Sequence, residues 1–312
     1  MDYKDIEVIK DGIIIKEAKN FELSHIFDCG QCFRWHRQEN GNYIGVAFER
    51  VIEVEKDDNN VIIYNSSRED FYNIWEAYFD LKRDYGSIKQ EFENDELLQK
   101  AVVFGHGIRL LQQESFEITL SFIISANNRI PMIKRAIENI SKRWGKILVY
   151  KEKNYYTFPE LEKLHEVSEK EFEECGTGFR AKYIKDTVEK IYKCMHMQND
   201  ELQKEFVEDY NKYDLERIKK LDDNECHNEL QNFSGIGPKV ADCIMLFSMN
   251  KYSAFPVDVW VKRAMQFFYL APDVSLKKIR EFAREKFGEL SGFAQQYLFY
   301  YARENNIKVE EI

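Results

Sequence analysis

The sequence predicts an α+β protein: an N-terminal twisted antiparallel β-sheet domain with helices over residues 1–115, then an all-helical domain over 116–312. Three observations lead there. Short β-rich runs broken by turn residues fill the chain up to Tyr64. From Glu69 onward the apolar period changes from that of a strand to that of a helix. A tight Gly235-Ile236-Gly237-Pro238 turn then separates two helical patterns.

Taken in order, Ile6 to Ile9 and Ile13 to Ile15 flank a Lys-Asp-Gly turn, and Asn40-Gly41-Asn42 is a second hairpin signal. Tyr43 to Val54 reads as one alternating run that ends at Asp57-Asp58-Asn59-Asn60, and Val61 to Tyr64 follows. The connections are too short for crossovers, so the strands are antiparallel. Helices are expected over roughly 69–80, 87–103, 117–126, 130–144, 180–195, 213–221, 225–232, 238–249, 258–269, 275–287 and 291–304. Pro131 and Pro238 suit helix first turns. Tyr150 to Tyr156 reads as a charged excursion between helices. There are no repeats and no long flexible linker.

A chain of 312 residues, 44% hydrophobic and 14% aromatic, can fill one large or two modest cores. The net charge of −10 by itself argues against nucleic acid, whose binders usually carry a basic footprint. Residues 120–146 depart from that average, with Arg129, Lys134, Arg135, Lys142, Arg143 and Lys146 against the single acid Glu138. Such a run is ordinarily a solvated helix face. No apolar stretch approaches the roughly 18 residues of a membrane span, and the charged start MDYKDIEVIKDG has no signal-peptide core. A soluble, intracellular monomer is expected. The six cysteines read as thiols. Cys29 and Cys32 have metal or redox spacing but no second pair, and Cys194-x-His196 and Cys226-His227 lack a partner framework.

Glu225 to Asn232, the Gly-x-Gly turn and the helix opened by Pro238 make a helix-hairpin-helix at about 225–249. Glycines permit positive φ, and a helix N-terminus offers N–H groups and a dipole to an anion such as phosphate. Held through backbone atoms, DNA would need little side-chain charge. An ordinary tight helical turn would look the same at this level. Lys239 follows the turn directly, and Asp258 in Phe255-Pro256-Val257-Asp258-Val259-Trp260 stands nineteen residues later at a helix N-cap position. An amine and a carboxylate facing one cleft suit N-glycosidic chemistry: the neutral amine attacks the anomeric carbon, and the carboxylate steadies positive charge on the sugar.

At these residues the sequence resembles the helix-hairpin-helix–Gly/Pro–Asp superfamily of base-excision DNA glycosylases, and within it the 8-oxoguanine DNA glycosylases. Five segments carry the resemblance in the family's order. They are Cys29 to Trp35, Ile124 to Ile130, Gly176 to Tyr183, Gly235 to Cys243 with Pro256 to Val259, and Gly292 to Phe299. The resemblance implies double-stranded DNA containing 8-oxoguanine as partner. It implies Lys239 as the Schiff-base nucleophile that also permits strand cleavage by β-elimination, and Asp258 as support for the cationic transition state. It also implies a Cys243 thiolate forming a dipole with the lysine against one face of the flipped base, Phe299 on the other face and Gln295 at the Watson–Crick edge. The Gly30 carbonyl would accept the N7–H that distinguishes the lesion from guanine. Asn127 would fill the vacated helix space, Phe179 would act as wedge, and Arg180 would donate to the orphaned cytosine. Gly235, Gly237 and Val240 would hold the DNA backbone, and the basic stretch after Asn127 becomes a DNA-facing helix. No catalytic metal and no iron–sulfur cluster are expected, although the carbonyls of Phe233 and Ile236 could hold a structural Na+ or K+.

Two departures qualify this. The better-known members have a third Asn in the plug loop and an Arg three positions beyond it; here Arg129 and Met132 stand in those places. Methionine cannot donate to cytosine, so a relaxed opposite-base preference is expected. Trp260 stands where a phosphate-holding His is common. Among the alternatives, an endonuclease III-like enzyme would carry a cluster of cysteines beyond Cys243, and none is present. An alkylpurine glycosylase would typically lack the lysine, and a non-catalytic hairpin protein would not need the Lys239–Asp258 pair.

Overall fold

The computed structural model describes residues 1–197, 211–270 and 273–307. Six N-terminal strands, β1 (Asp5–Ile9), β2 (Gly12–Lys16), β3 (Trp35–Arg37), β4 (Tyr43–Ala47), β5 (Arg50–Asp57) and β6 (Asn60–Tyr64), form one antiparallel sheet in the order β1-β2-β6-β5-β4-β3. The Tyr43 to Val54 run is therefore two strands rather than one. Phe48 and Glu49 both take positive φ (49° and 57°) and close a tight hairpin that pairs Val46 with Val51. Alternation survives the turn, so it hid the break.

The inner face of this sheet packs Ile13, Ile15, Ile52, Val54 and Ile63 against Phe27, Trp35, Trp75 and Phe79, all buried. The Arg109 guanidinium, wholly buried, ties that layer together. It pairs with Asp2 at 2.8 Å, donates to the Phe79 carbonyl at 2.7 Å and lies 4.1 Å from the Tyr85 ring centre.

Tyr150 to Tyr156 does lie between two helices, Ile130–Trp144 and Leu161–His165, but it is not irregular. It belongs to a second hairpin, β7 (Ile147–Tyr150) and β8 (Lys153–Tyr156), turned at Lys151-Glu152 with positive φ. Leu148, Tyr150 and Tyr155 cover Ile44, Val46 and Val51 on the outer sheet face, which explains why β4 is buried along its whole length. Burying a side chain of Val or Ile size contributes about 1.5–3 kcal/mol. The expected 87–103 helix is also two, Tyr85–Glu91 and Glu96–Phe104, because Asp95 caps the second through the Leu98 amide at 3.1 Å. The single-turn helices Leu23–Phe27, Leu161–His165 and Glu169–Phe172 are too short to display a period in sequence. The stretch expected as 69–80 winds through a π-helical turn at Phe71–Trp75.

The larger core gathers the remaining helices. It crosses the boundary drawn at 115/116, since Cys29, Phe33, Tyr85, Leu98 and Ile108 pack into it. Among the described residues, no helix is long and apolar enough to cross a membrane.

Candidate active site

The hairpin consists of helices Asp223–Leu230 and Pro238–Ser248. Asp222 starts the first by accepting the Asn224 and Glu225 amides, each at 2.9 Å. No side chain caps the second at Gly237. Its first paired amide is that of Ala241, which donates to the Gly237 carbonyl at 2.9 Å. The Lys239 and Val240 amides thus sit in the unpaired first turn and face outward.

The two glycines of the turn do different work. Gly235 has φ +83°, and a Cβ there would stand 2.8 Å from the Tyr183 ring. At Gly237 a Cβ would meet nothing within 4 Å. Gly235→Ala is expected to lower stability by more than 1 kcal/mol, since strain and clash combine. On the expectation that the turn's backbone holds DNA, Gly237→Ala should leave stability within about 0.5 kcal/mol and weaken duplex binding. Chemical denaturation and a duplex-binding titration on the same two variants check this; equal stability losses would refute the division.

The hairpin's second helix, the Val259–Phe268 helix and the Ser291–Glu304 helix line a cavity of about 340 Å³, together with the Cys29-Gly30 turn and the 122–133 segment. Lys239, Cys243, Asp258, Trp260, Gly30, Gln295 and Phe299 all line it. Lys239 Nζ lies 5.4 Å from the Phe122 ring centre. Asp258 caps its helix, accepting the Val261 amide at 2.8 Å. Burial holds its carboxyl above the ordinary carboxylate range, opposed by that amide, Lys239 and Arg303. Cys243 departs from the expected thiolate. Burial pushes its pKa up to about 11 against the pull of Lys239, so the free protein holds a thiol at neutral pH.

Gly30 has φ +80°, and a Cβ there would come within 3.1 Å of the Phe299 ring. Gln295 is 4% exposed, and its buried Oε1 has no hydrogen-bond partner among the described residues. An unpaired buried carbonyl costs about 1–3 kcal/mol and invites a donor from whatever enters the cavity.

A second group lies at the end of the Ser115–Ser125 helix. Asn127 is exposed, with φ +50°. Phe179 is 58% exposed. Arg180 is no free surface charge. It is buried, donates to the Ala126 carbonyl at 2.7 Å and to that of Asn127 at 2.9 Å, and stacks 4.4 Å from the Phe179 ring centre. Its guanidinium therefore joins the Ala126-Asn127 turn to Phe179. Met132 is 45% exposed in the first turn of the Ile130–Trp144 helix.

The basic stretch does not present a +5 face to DNA. Lys142 pairs with Glu138, Arg143 with Glu171 and Glu174, and Lys146 with Glu49 and Glu160, while Lys134 donates to the Trp35 carbonyl. Acids from distant segments pair Arg143 and Lys146, and Glu138 of the same helix pairs Lys142. Arg129, Lys134 and Arg135 are the members without an ion pair among the described residues.

Residues 120–289 match the family model of HhH-GPD superfamily base excision DNA repair proteins. The chain belongs to that superfamily. Residues 13–119 match the model of the 8-oxoguanine DNA glycosylase N-terminal domain. The chain is 64% identical to the Clostridium acetobutylicum 8-oxoguanine glycosylase/lyase solved with double-stranded DNA containing cytosine opposite 8-oxoG. That similarity spans 98% of this chain and 100% of that one, with a TM-score of 0.91. It is 32% identical over 252 residues to a probable N-glycosylase/DNA lyase of Methanothermobacter thermautotrophicus, 74% of this chain and 75% of that protein. Identity to the N-glycosylase/DNA lyase OGG1 of Arabidopsis thaliana is 29% over 293 residues, 88% of this chain and 75% of that one.

In this HhH-GPD protein three site features escaped sequence reading. Gln296 donates to the Cys29 carbonyl at 2.7 Å and fixes the Gly30 turn to the last helix. Arg303 lines the cavity. Asp242, wholly buried behind Lys239, takes a bidentate pair from Arg280 at 2.6 and 2.8 Å. Only the Gln295-Gln296 doublet carried a signal, a second amide on the same helix turn. All six cysteines are free and buried, and among the described residues no His/Cys/Asp/Glu group could hold a metal.

Proposed function

We propose that this protein is a bifunctional DNA glycosylase and abasic-site lyase acting on 8-oxoguanine in duplex DNA. The observation that carries this reading is the convergence of Lys239, Asp258, the Gly30 turn and the unpaired Gln295 carbonyl on one cavity. The base leaves the stack, at a cost of a few kcal/mol, with Phe179 as wedge and Asn127 in the space left behind. In the cavity the Gly30 carbonyl accepts N7–H, where guanine would present a lone pair. Gln295 accepts from the Watson–Crick edge, and Phe299 and Cys243 enclose the ring faces, the cysteine as a thiol. The neutral Lys239 amine attacks C1′, and the bond to N9 breaks with its electron pair leaving on the base. Asp258 stabilises the positive sugar. The C1′–O4′ bond then opens, its electron pair leaving on O4′, which takes a proton from solvent as the Lys239 nitrogen forms an imine with C1′. The imine lowers the barrier to proton loss from C2′, and β-elimination then expels the 3′ phosphate. Amides of the Gly235–Val240 turn hold the DNA backbone, and Trp260 donates without charge nearby.

The process needs no catalytic metal. A monovalent cation at the hairpin would be structural. The Phe233 carbonyl already accepts the Ile236 amide at 3.2 Å, which leaves it one lone pair for such a cation.

Met132 offers cytosine no donor, so the preference for cytosine opposite the lesion is expected to be small. Base release from duplexes with 8-oxoguanine opposite cytosine, adenine, guanine and thymine tests both statements. Release from all four within roughly 10-fold, about 1.4 kcal/mol, is the expected outcome. No release from any would refute the substrate assignment. A preference for cytosine above 100-fold would refute the role given to Met132.

A further inference from the structure

We infer that Arg303 is a base-contacting residue of the excision step, stabilising the negative charge that develops on the departing base. The inference rests on the functional reading above. Arg303 extends from the last helix one turn beyond Phe299, and its side chain is 17% exposed. Its guanidinium carbon lies 5.2 Å from the Phe299 ring centre. Nη2 donates to the Asp28 carbonyl, and Nε and Nη2 reach Glu304 at 2.9 and 2.8 Å. Nη1 has no hydrogen-bond partner among the described residues. It points to the Gly30 turn, where a Cβ on Gly30 would stand 3.6 Å from it. The guanidinium is thus anchored on two of its nitrogens and open on the third, at the edge of the cavity that holds Lys239 and Asp258.

The position has a chemical meaning. A base whose N7–H is held by the Gly30 carbonyl has its two exocyclic oxygens flanking N7, one on C8 and one on C6. A donor beside Gly30 therefore lies next to one of them. When Lys239 bonds to C1′ and the C1′–N9 bond breaks, the electron pair leaves with the base and spreads from N9 onto these oxygens. The purine anion then takes a proton from the ammonium formed at Lys239. A fixed cation at an oxygen edge in a partly dry cavity favours that charge distribution over the neutral bound base. Glu304, 43% exposed, holds the guanidinium from the solvent side and leaves Nη1 free.

The test separates the two chemical steps. Arg303→Leu and Arg303→Lys are compared with wild type for single-turnover release of 8-oxoguanine, and for strand cleavage of a duplex carrying a pre-formed abasic site. The expected result is release slowed about 100-fold in Arg303→Leu, partly restored in Arg303→Lys, with abasic cleavage within about 3-fold of wild type in both. The release defect should also shrink as pH falls, because a proton on the leaving base substitutes for the guanidinium. Unchanged release in Arg303→Leu, equal loss of both steps, or a pH-independent defect would each overturn the inference. A wild type that cleaved the abasic duplex but released no 8-oxoguanine would instead overturn the functional reading, and this inference with it.

Discussion

Lys239→Gln is expected to abolish the covalent adduct that borohydride traps between protein and an 8-oxoguanine duplex, and to slow base release at least about 1,000-fold. That factor is about 4 kcal/mol of transition-state stabilisation. Glutamine keeps the approximate length and polarity of the side chain but has no basic lone pair to bond to C1′. The hairpin's second helix, with its unpaired Lys239 and Val240 amides, would be unaltered, so duplex binding should stay within a few-fold of wild type. Asp258 would remain as the cap of its own helix through the Val261 amide. Trapping by wild type alone would place the nucleophile at Lys239. Base release without trapping in wild type would make water the nucleophile and Lys239 a binding residue. An adduct that persisted in Lys239→Gln would place the nucleophile elsewhere.

Arg280→Met is expected to destabilise the protein by about 3–5 kcal/mol, because it leaves the wholly buried Asp242 carboxylate without its bidentate partner. The nearest alternative cation is His227, whose Nε2 lies 3.7 Å from Asp242 Oδ1. Burial holds the His227 pKa below its ordinary value, so at neutral pH that ring is a poor substitute. Replacing both members, Asp242→Leu with Arg280→Met, removes the stranded charge and should recover at least half of the loss. Urea denaturation of the single and double variants measures this. A cost below 1 kcal/mol for Arg280→Met would show that the pair contributes little. Because Asp242 immediately precedes Cys243 on the Lys239 helix, the single variant should also trap abasic DNA less efficiently well below its melting temperature.

Much of the candidate site could be read from the chain because local rules govern it. Gly235, Gly237 and Pro238 announce a turn and a helix start by their backbone preferences alone. Asp258 after Pro256 announces an N-cap, and the structure has that cap. Lys239 and Cys243, four residues apart on one helix, must share a face. Strand signals located the sheet for the same reason, although positive-φ residues without glycine concealed one of its turns, at Phe48-Glu49, and that of the separate β7-β8 hairpin, at Lys151-Glu152.

What the sequence by itself determined was therefore the identity of the chemically competent residues and the local elements that present them: the Gly-x-Gly-Pro turn, the lysine at its mouth, the capping aspartate, and the α+β order of sheet and helices. Only the tertiary structure decided which of those residues share a cavity and in what state. It paired Arg143 and Lys146 of the basic stretch with glutamates from distant segments, turned the Arg180 guanidinium inward onto the Ala126 and Asn127 carbonyls, and kept the Cys243 thiol protonated by burial. It also brought Arg303 beside Gly30 and set Arg280 against Asp242. Each of these depends on charge, desolvation and packing between segments far apart in the chain. Periodicity and spacing report only what neighbours along the chain do to one another, and these interactions exist only once the chain has closed on itself.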